Sequence, residues 1–245
     1  MDDARYLELL KLDGEALAVA AERDLAAPIP SCPEWDMWAL IHHTGRVHRH
    51  KMAIVRRGGT EEPSDLAIDP PPDQDGELIE WYRDGVNELL ATLSAADPEA
   101  PAWSWSGDHR VAFWIRRMAQ ETTVHRWDAE NAVGETGPID AELAADGIDE
   151  MLGVFISREG HIYRGAPGTI CLRCTDVPGE SLVTLTPGGV PTYQSGPGDH
   201  DAVLQGSAEE LLLLVWRRLE IDAVGDDRVG TLVTDFWRYL EGPGQ

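Results

Sequence analysis

Pro28, Pro30 and Pro33 stand within six residues of one another, and rings at that spacing cannot be absorbed into a helix, because each removes a backbone donor and clashes with the preceding turn. The chain on either side must fold as separate helices that pack together. Tyr6, Leu9, Leu10, Leu17 and Ala20 recur at helical spacing and predict a first helix over about residues 3–23. Asp36 offers an N-cap for a second helix, which runs to about Arg57 before Gly58-Gly59. Pro70-Pro71-Pro72 lies ahead of a third, about 74–96, and a fourth spans about Val111 to Ala132. Four helices of about twenty residues predict a bundle. A fifth helical stretch, Asp140 to about Ile156, is bounded by Gly137-Pro138 and Gly160.

Beyond Gly160 the apolar period changes from helical to alternating. Thr169–Cys174, Ser181–Thr186 and Asp201–Gly206 read as short strands between Pro/Gly turns. Ser207 and Glu210 form a capping box ahead of Leu211–Val215, in a helix expected to continue through Arg217, Arg218 and Leu219, and a last helix covers about Val229 to Leu240. The expected fold class is α+β: a helical domain over 1–157 and a smaller α+β domain over 158–245. No internal repeat or low-complexity tract interrupts this division.

Charge narrows the function classes. Twenty basic against 44 acidic residues leave −24 with neutral histidines, a field that repels phosphate backbones and anionic bilayers, so neither nucleic acid nor membrane is an expected partner. No stretch reaches the ~20 apolar residues that span a bilayer. The start, MDDARYLELL, is acidic where a signal peptide is basic, and three cysteines make no disulfide framework. A cytoplasmic protein is expected, monomer or homodimer.

Glu121 and His125 stand four apart on the fourth helix and share a face with Trp114, Met118, Ala129 and Ala132. A carboxylate on an inward face needs compensation. A divalent metal would supply it; so would pairing of the two residues with each other, or with Arg116 or Arg117. On the second helix Leu40, His43, Val47, His50 and Ile54 form one stripe, which makes His43 the histidine expected to point inward. His43, Glu121 and His125 together suit zinc or another borderline divalent ion, with positions left for water or substrate. His42, His48 and His50 read as solvated or hydrogen-bonded surface histidines, with His50 the reserve ligand. Between Asp36 and Glu61 there is no acidic residue, yet Arg46, Arg49, Lys51, Arg56 and Arg57 fall there. That island either receives a carboxylated substrate or pairs with acidic residues elsewhere. Cys171 and Cys174, three apart in a strand, face opposite sides and read as small hydrophobes; Cys32 is a lone thiol in the loop before the second helix.

Cys32-Pro33-Glu34-Trp35, His43 and the run Arg116 to Glu130, with its E-x-x-x-H-R-x-D-A-E core, resemble the mycothiol-dependent maleylpyruvate isomerase family, part of the DinB-like group of metal-binding four-helix bundles. Glu34 and Asp36 depart from the family's usual glycine and threonine. The resemblance covers about residues 8–157 well and the C-terminal domain more faintly. It implies a zinc ion on His43, Glu121 and His125, a mycothiol-like thiol as cosubstrate, and a functional arginine in the C-terminal domain, for which Arg217, Arg218 and Arg228 are candidates.

A metal of this kind favours a thiolate at neutral pH. The thiolate would add to a cis double bond and leave after rotation, or attack an electrophile and stay attached, with the zinc, Arg46 or a basic residue of the C-terminal domain stabilising an enolate. The expected enzyme is therefore an isomerase of maleylpyruvate-like substrates or a thiol S-transferase. The alternatives are a non-catalytic metal or small-ligand binder with a sterol-carrier-like C-terminal domain, and a regulatory partner.

Overall fold

A computed structural model describes residues 1–72, 74–158, 161–221 and 230–241. They form two compact units, Met1–Gly137 and Pro138–Gln245. The first contains four helices: α1 (Asp3–Ala21), α2 (Met37–Arg57), α3 (Asp75–Ala95) and α4 (Val111–Ala132). Asp36 caps α2 as its sequence position predicts, its carboxylate accepting the Ala39 N–H at 2.8 Å. α1 packs along α4 and α2 along α3, around a core that includes Leu17, Met37, Leu40, Ile41, Leu78 and Tyr82. Each such fully buried side chain contributes about 1.5–3 kcal/mol of hydrophobic stabilisation. α4 is buried almost all round, from Val111 to Ala129.

The second unit opens with α5 (Ala141–Glu150), capped by Asp140, and the chain runs on as a single π-helical turn over Met151–Phe155. α5 therefore belongs with the sheet, although the change of period at Gly160 groups it with the helices before it. Four strands follow: β1 (Gly168–Cys174), β2 (Glu180–Leu185), β3 (Thr192–Ser195) and β4 (Ala202–Gly206), in the order β3-β2-β1-β4. β1 and β2 pair antiparallel with Ile170 opposite Val183, and β4 lies parallel to β1 with Leu204 opposite Leu172. The Ser207–Glu210 capping box starts α6 (Ala208–Val215), whose leucines pack against α5; α7 (Thr231–Tyr239) follows.

The extension of α6 through Arg217, Arg218 and Leu219 does not occur. The helix closes on itself: the N–H of Arg218 reaches back to the Leu213 carbonyl at 2.7 Å and that of Arg217 to Leu214 at 3.0 Å, a Schellman closure. Arg217 occupies the left-handed position with φ 63°, where glycine is usual. Its guanidinium lies 3.2 Å from the centre of the Trp237 ring, a contact that compensates the backbone.

Gly45 sets the separation of α2 and α3. A Cβ there would lie 2.3 Å from the Trp81 ring. Gly45→Ala should therefore destabilise the protein by about 1–3 kcal/mol through overpacking, despite the ~1 kcal/mol that alanine gains in a helix. A urea midpoint lowered at constant m-value is the expected result; an unchanged or raised midpoint would show that Trp81 yields without cost.

Candidate metal centre

Two helices and one loop build the site, all within the first unit. The loop between α1 and α2 is pinned by its own backbone: the Ile29 N–H donates to the Trp35 carbonyl at 2.9 Å and the Trp35 N–H to the Cys32 carbonyl at 2.8 Å. This fixes Trp35 with its ring centre 4.7 Å from that of His43 and 6.2 Å from that of His125. His43 Nε2 and His125 Nε2 each lie 3.4 Å from Glu121 Oε1. One ligand atom from each of the three residues falls within 4.8 Å of the others, the one such cluster among the described residues. The His43 side chain is 38% exposed and the His125 side chain 10%, so the cluster is open on the α2 side and closed on the α4 side.

The surroundings of the cluster set its charges. Burial alone would raise the Glu121 pKa, but the buried Arg117 guanidinium donates to Oε2 and, with the two histidines, holds the carboxyl well below its ordinary value. Burial would lower His125; hydrogen bonds to Asp128 and Glu121 overcome it and push the group up to about 9. His125 Nδ1 lies 3.1 Å from Asp128 Oδ2, and Ser31 Oγ donates to Asp128 Oδ1 at 2.5 Å. Asp128 thus holds the proton on Nδ1 and leaves Nε2 directed at Glu121, the arrangement by which a carboxylate orients a metal-binding histidine. Two imidazole nitrogens and one carboxylate oxygen fit a zinc-like ion. Glu121 is paired with Arg117 and lies near both histidines, so the pairing reading holds, and the cluster could in addition hold a metal.

One expectation about α2 needs correction. His48 is no surface histidine: it is fully buried, with Nε2 2.9 Å from Thr122 Oγ1, and burial pushes it down to about 3, so it is neutral. The Leu40-His43-Val47-His50-Ile54 stripe is buried at Leu40 and Ile54 but only part-buried at the three positions between them, while Ile41, Thr44, Gly45, His48 and Met52 also face the interior. His43 reaches the cluster from that stripe. His42 stacks on Trp38, ring centres 5.0 Å apart. Trp35, His42, His43, Arg46, His50 and Lys51 line a cleft of about 420 Å³, with Arg46 exposed at its wall. Cys32 lies in the pinned loop and forms no disulfide. In the second unit Arg217 bonds to Glu241 at 3.2 Å and Arg218 to the Trp216 carbonyl at 2.7 Å, while Arg228 lies outside the described residues.

The sequence assigns no role to Asp128 or Ser31, whereas Arg117, one of the two arginines offered as a partner for Glu121, does pair with it. Asp128 was within reach of the sequence: positions 117, 121, 125 and 128 follow helical steps of four, four and three, and so share one face with alternating charge.

His125 should titrate near pH 9 in the metal-free protein. Because its folded value lies above the ordinary 6.5, the stability it contributes is fully present below about pH 6.5 and is lost as pH rises through about 9. Asp128→Asn should move the His125 titration downward in a histidine-resolved NMR experiment, and an unshifted parent value near 6.5 would contradict the arrangement.

No curated protein matches this chain in sequence, but family models and solved structures do. Residues 13–130 match the mycothiol maleylpyruvate isomerase N-terminal domain, and residues 142–233 match the C-terminal domain of the same family. Among solved structures, the mycothiol-dependent maleylpyruvate isomerase aligns with a TM-score of 0.63 at 14% identity, over 94% of this chain and 96% of that one. A histidine-to-alanine mutant of a mycothiol-dependent maleylpyruvate isomerase gives 0.64 at 15% identity with the same coverage. With both domain models matched in order, this chain belongs to the mycothiol-dependent maleylpyruvate isomerase family.

Proposed function

We propose that the chain is an enzyme that uses a low-molecular-weight, mycothiol-like thiol together with a divalent metal, zinc by preference, held by His43, Glu121 and His125. The observation that carries this reading is the convergence of the three ligand atoms within 4.8 Å, with His125 oriented by Asp128. Such an ion, when bound, supplies Lewis acidity that favours the thiolate form of a thiol at neutral pH.

The protein's own residues do the rest. Asp128 keeps His125 Nε2 free to ligate, and Arg117 keeps Glu121 ionised. His125 must lose a proton for a metal to enter, so affinity rises with pH up to about 9. Trp35 covers the His43 ring and shields that side from water. In isomerisation the thiolate adds to one carbon of a cis double bond conjugated to a carbonyl, and the electron pair moves onto the carbonyl oxygen. Rotation about the new single bond and departure of the thiolate restore the double bond as trans, with no net proton transfer. In S-transfer the carbon–sulfur bond persists. Arg46, exposed on the cleft that His43 lines, is the candidate to stabilise the developing oxyanion.

The test is a spectrophotometric assay with maleylpyruvate and other activated electrophiles in the presence of mycothiol. We expect turnover that needs the thiol, is lost on chelation and returns with zinc. His43→Ala should lower kcat/KM by at least about 100-fold and strip the metal, whereas His50→Ala should leave the metal content unchanged. Persistent inactivity of the zinc-loaded protein with every thiol and electrophile would leave the non-catalytic binder as the better account.

A further inference from the structure

Most of the basic side chains of this protein are neutralised locally, as a net charge of −24 leads one to expect. Arg56 pairs with Glu88 and Arg57 with Asp65, so part of the basic island on α2 serves as an internal partner for acidic residues. Arg49 is spent on the Trp81 carbonyl at 2.7 Å and on its ring. Lys51 and Arg46 differ. Among the described residues neither makes an ion pair with a carboxylate, and both line the cleft that His43 also lines.

Lys51 is the more constrained of the two. It is partly buried, its ammonium donates to His50 Nδ1 at 3.0 Å and stands 5.0 Å from the Trp114 ring centre. Burial lowers its pKa, opposed by the nearby Glu121 carboxylate and assisted by Arg117, so the ammonium sits beside the triad without an anion of its own. His50 is pushed down to about 4 by burial and by the charges of Lys51 and Arg46, and is neutral. A neutral imidazole that accepts at Nδ1 carries its proton on Nε2, which adds a donor to the same wall. A partly desolvated ammonium is costly unless an anion compensates it.

We propose that Lys51, with His50 as its support and Arg46 at the cleft wall, is the subsite that holds a carboxylate of the small substrate next to the metal centre. The inference rests on the reading of His43, Glu121 and His125 as the reaction centre and adds to it the residue that receives the substrate's carboxylate. Lys51 is a specificity-determining residue rather than a ligand or a base.

The probe is maleate, a cis dicarboxylate, titrated calorimetrically into the full-length protein at low ionic strength, with metal content measured on every sample. Parent protein should bind it. Lys51→Met should weaken binding by about tenfold or more, the usual loss for a hydrogen bond to a charged group, with metal content unchanged. Lys51→Arg should stay within about threefold of the parent, and Arg46→Gln should lose about threefold, as an exposed charge does. Arg57→Gln, already paired outside the cleft, should change nothing. Equal affinity in Lys51→Met and parent, no binding by the parent, or a larger loss in Arg46→Gln than in Lys51→Met would overturn the assignment. The two readings fail separately: Lys51-dependent maleate binding without thiol-dependent turnover refutes the proposed reaction alone, and turnover whose KM ignores Lys51→Met refutes the subsite alone.

Discussion

A carboxylate turned into a helical bundle must be compensated, and Glu121 is the residue around which the first unit is organised. Its compensation begins on its own helix. Arg117, Glu121, His125 and Asp128 occupy one face of α4 and alternate in sign, each bonded to the next. The line continues off the helix through Ser31, which ties the loop ahead of α2 onto Asp128. Removing one member leaves a buried charge without its partner, a loss of about 3–5 kcal/mol in comparable buried pairs. The same alternation makes the site chemically useful, because it holds Glu121 ionised and directs a ring nitrogen of His125 at it.

The proline break that separates α1 from α2 proves to be more than punctuation. Its backbone folds back on itself, with Pro28 bridged to Asp36 and the Ile29 N–H bonded to the Trp35 carbonyl. The resulting rigid loop supplies Ser31 to Asp128 and the Trp35 ring to His43. Without it, His43 would stand on an uncovered flank of α2. The loop's backbone hydrogen bonds restrict where its side chains can go.

The helices of the first unit are legible because their apolar period is long and their ends are marked by Asp36, by prolines and by glycines. α4 spans Val111 to Ala132, the bounds its sequence predicts. The phase of α2 is harder to read. Its buried positions include Thr44, Gly45 and His48, small or polar residues that a hydrophobic pattern passes over, as well as Leu40 and Ile54 of the apolar stripe. His43, on that stripe, is part-exposed and stands beside Glu121. In the second unit, β3 escaped notice because its four residues are mostly exposed and include Gln194 and Ser195. The end of α6 escaped because an arginine, not a glycine, takes the left-handed position. Asp128 stands three residues beyond His125 on the same face, and only its bond to Ser31, from a distant segment, is hidden from a local pattern.

The central claim is that Glu121 is compensated by an ion as well as by Arg117 and His125, and metal content addresses it most directly. Plasma mass spectrometry on untagged protein, parent beside Glu121→Ala, after zinc loading and exhaustive dialysis, should give about one zinc per chain in the parent and none in the variant. Equal metal in both, or none in either, would contradict the account.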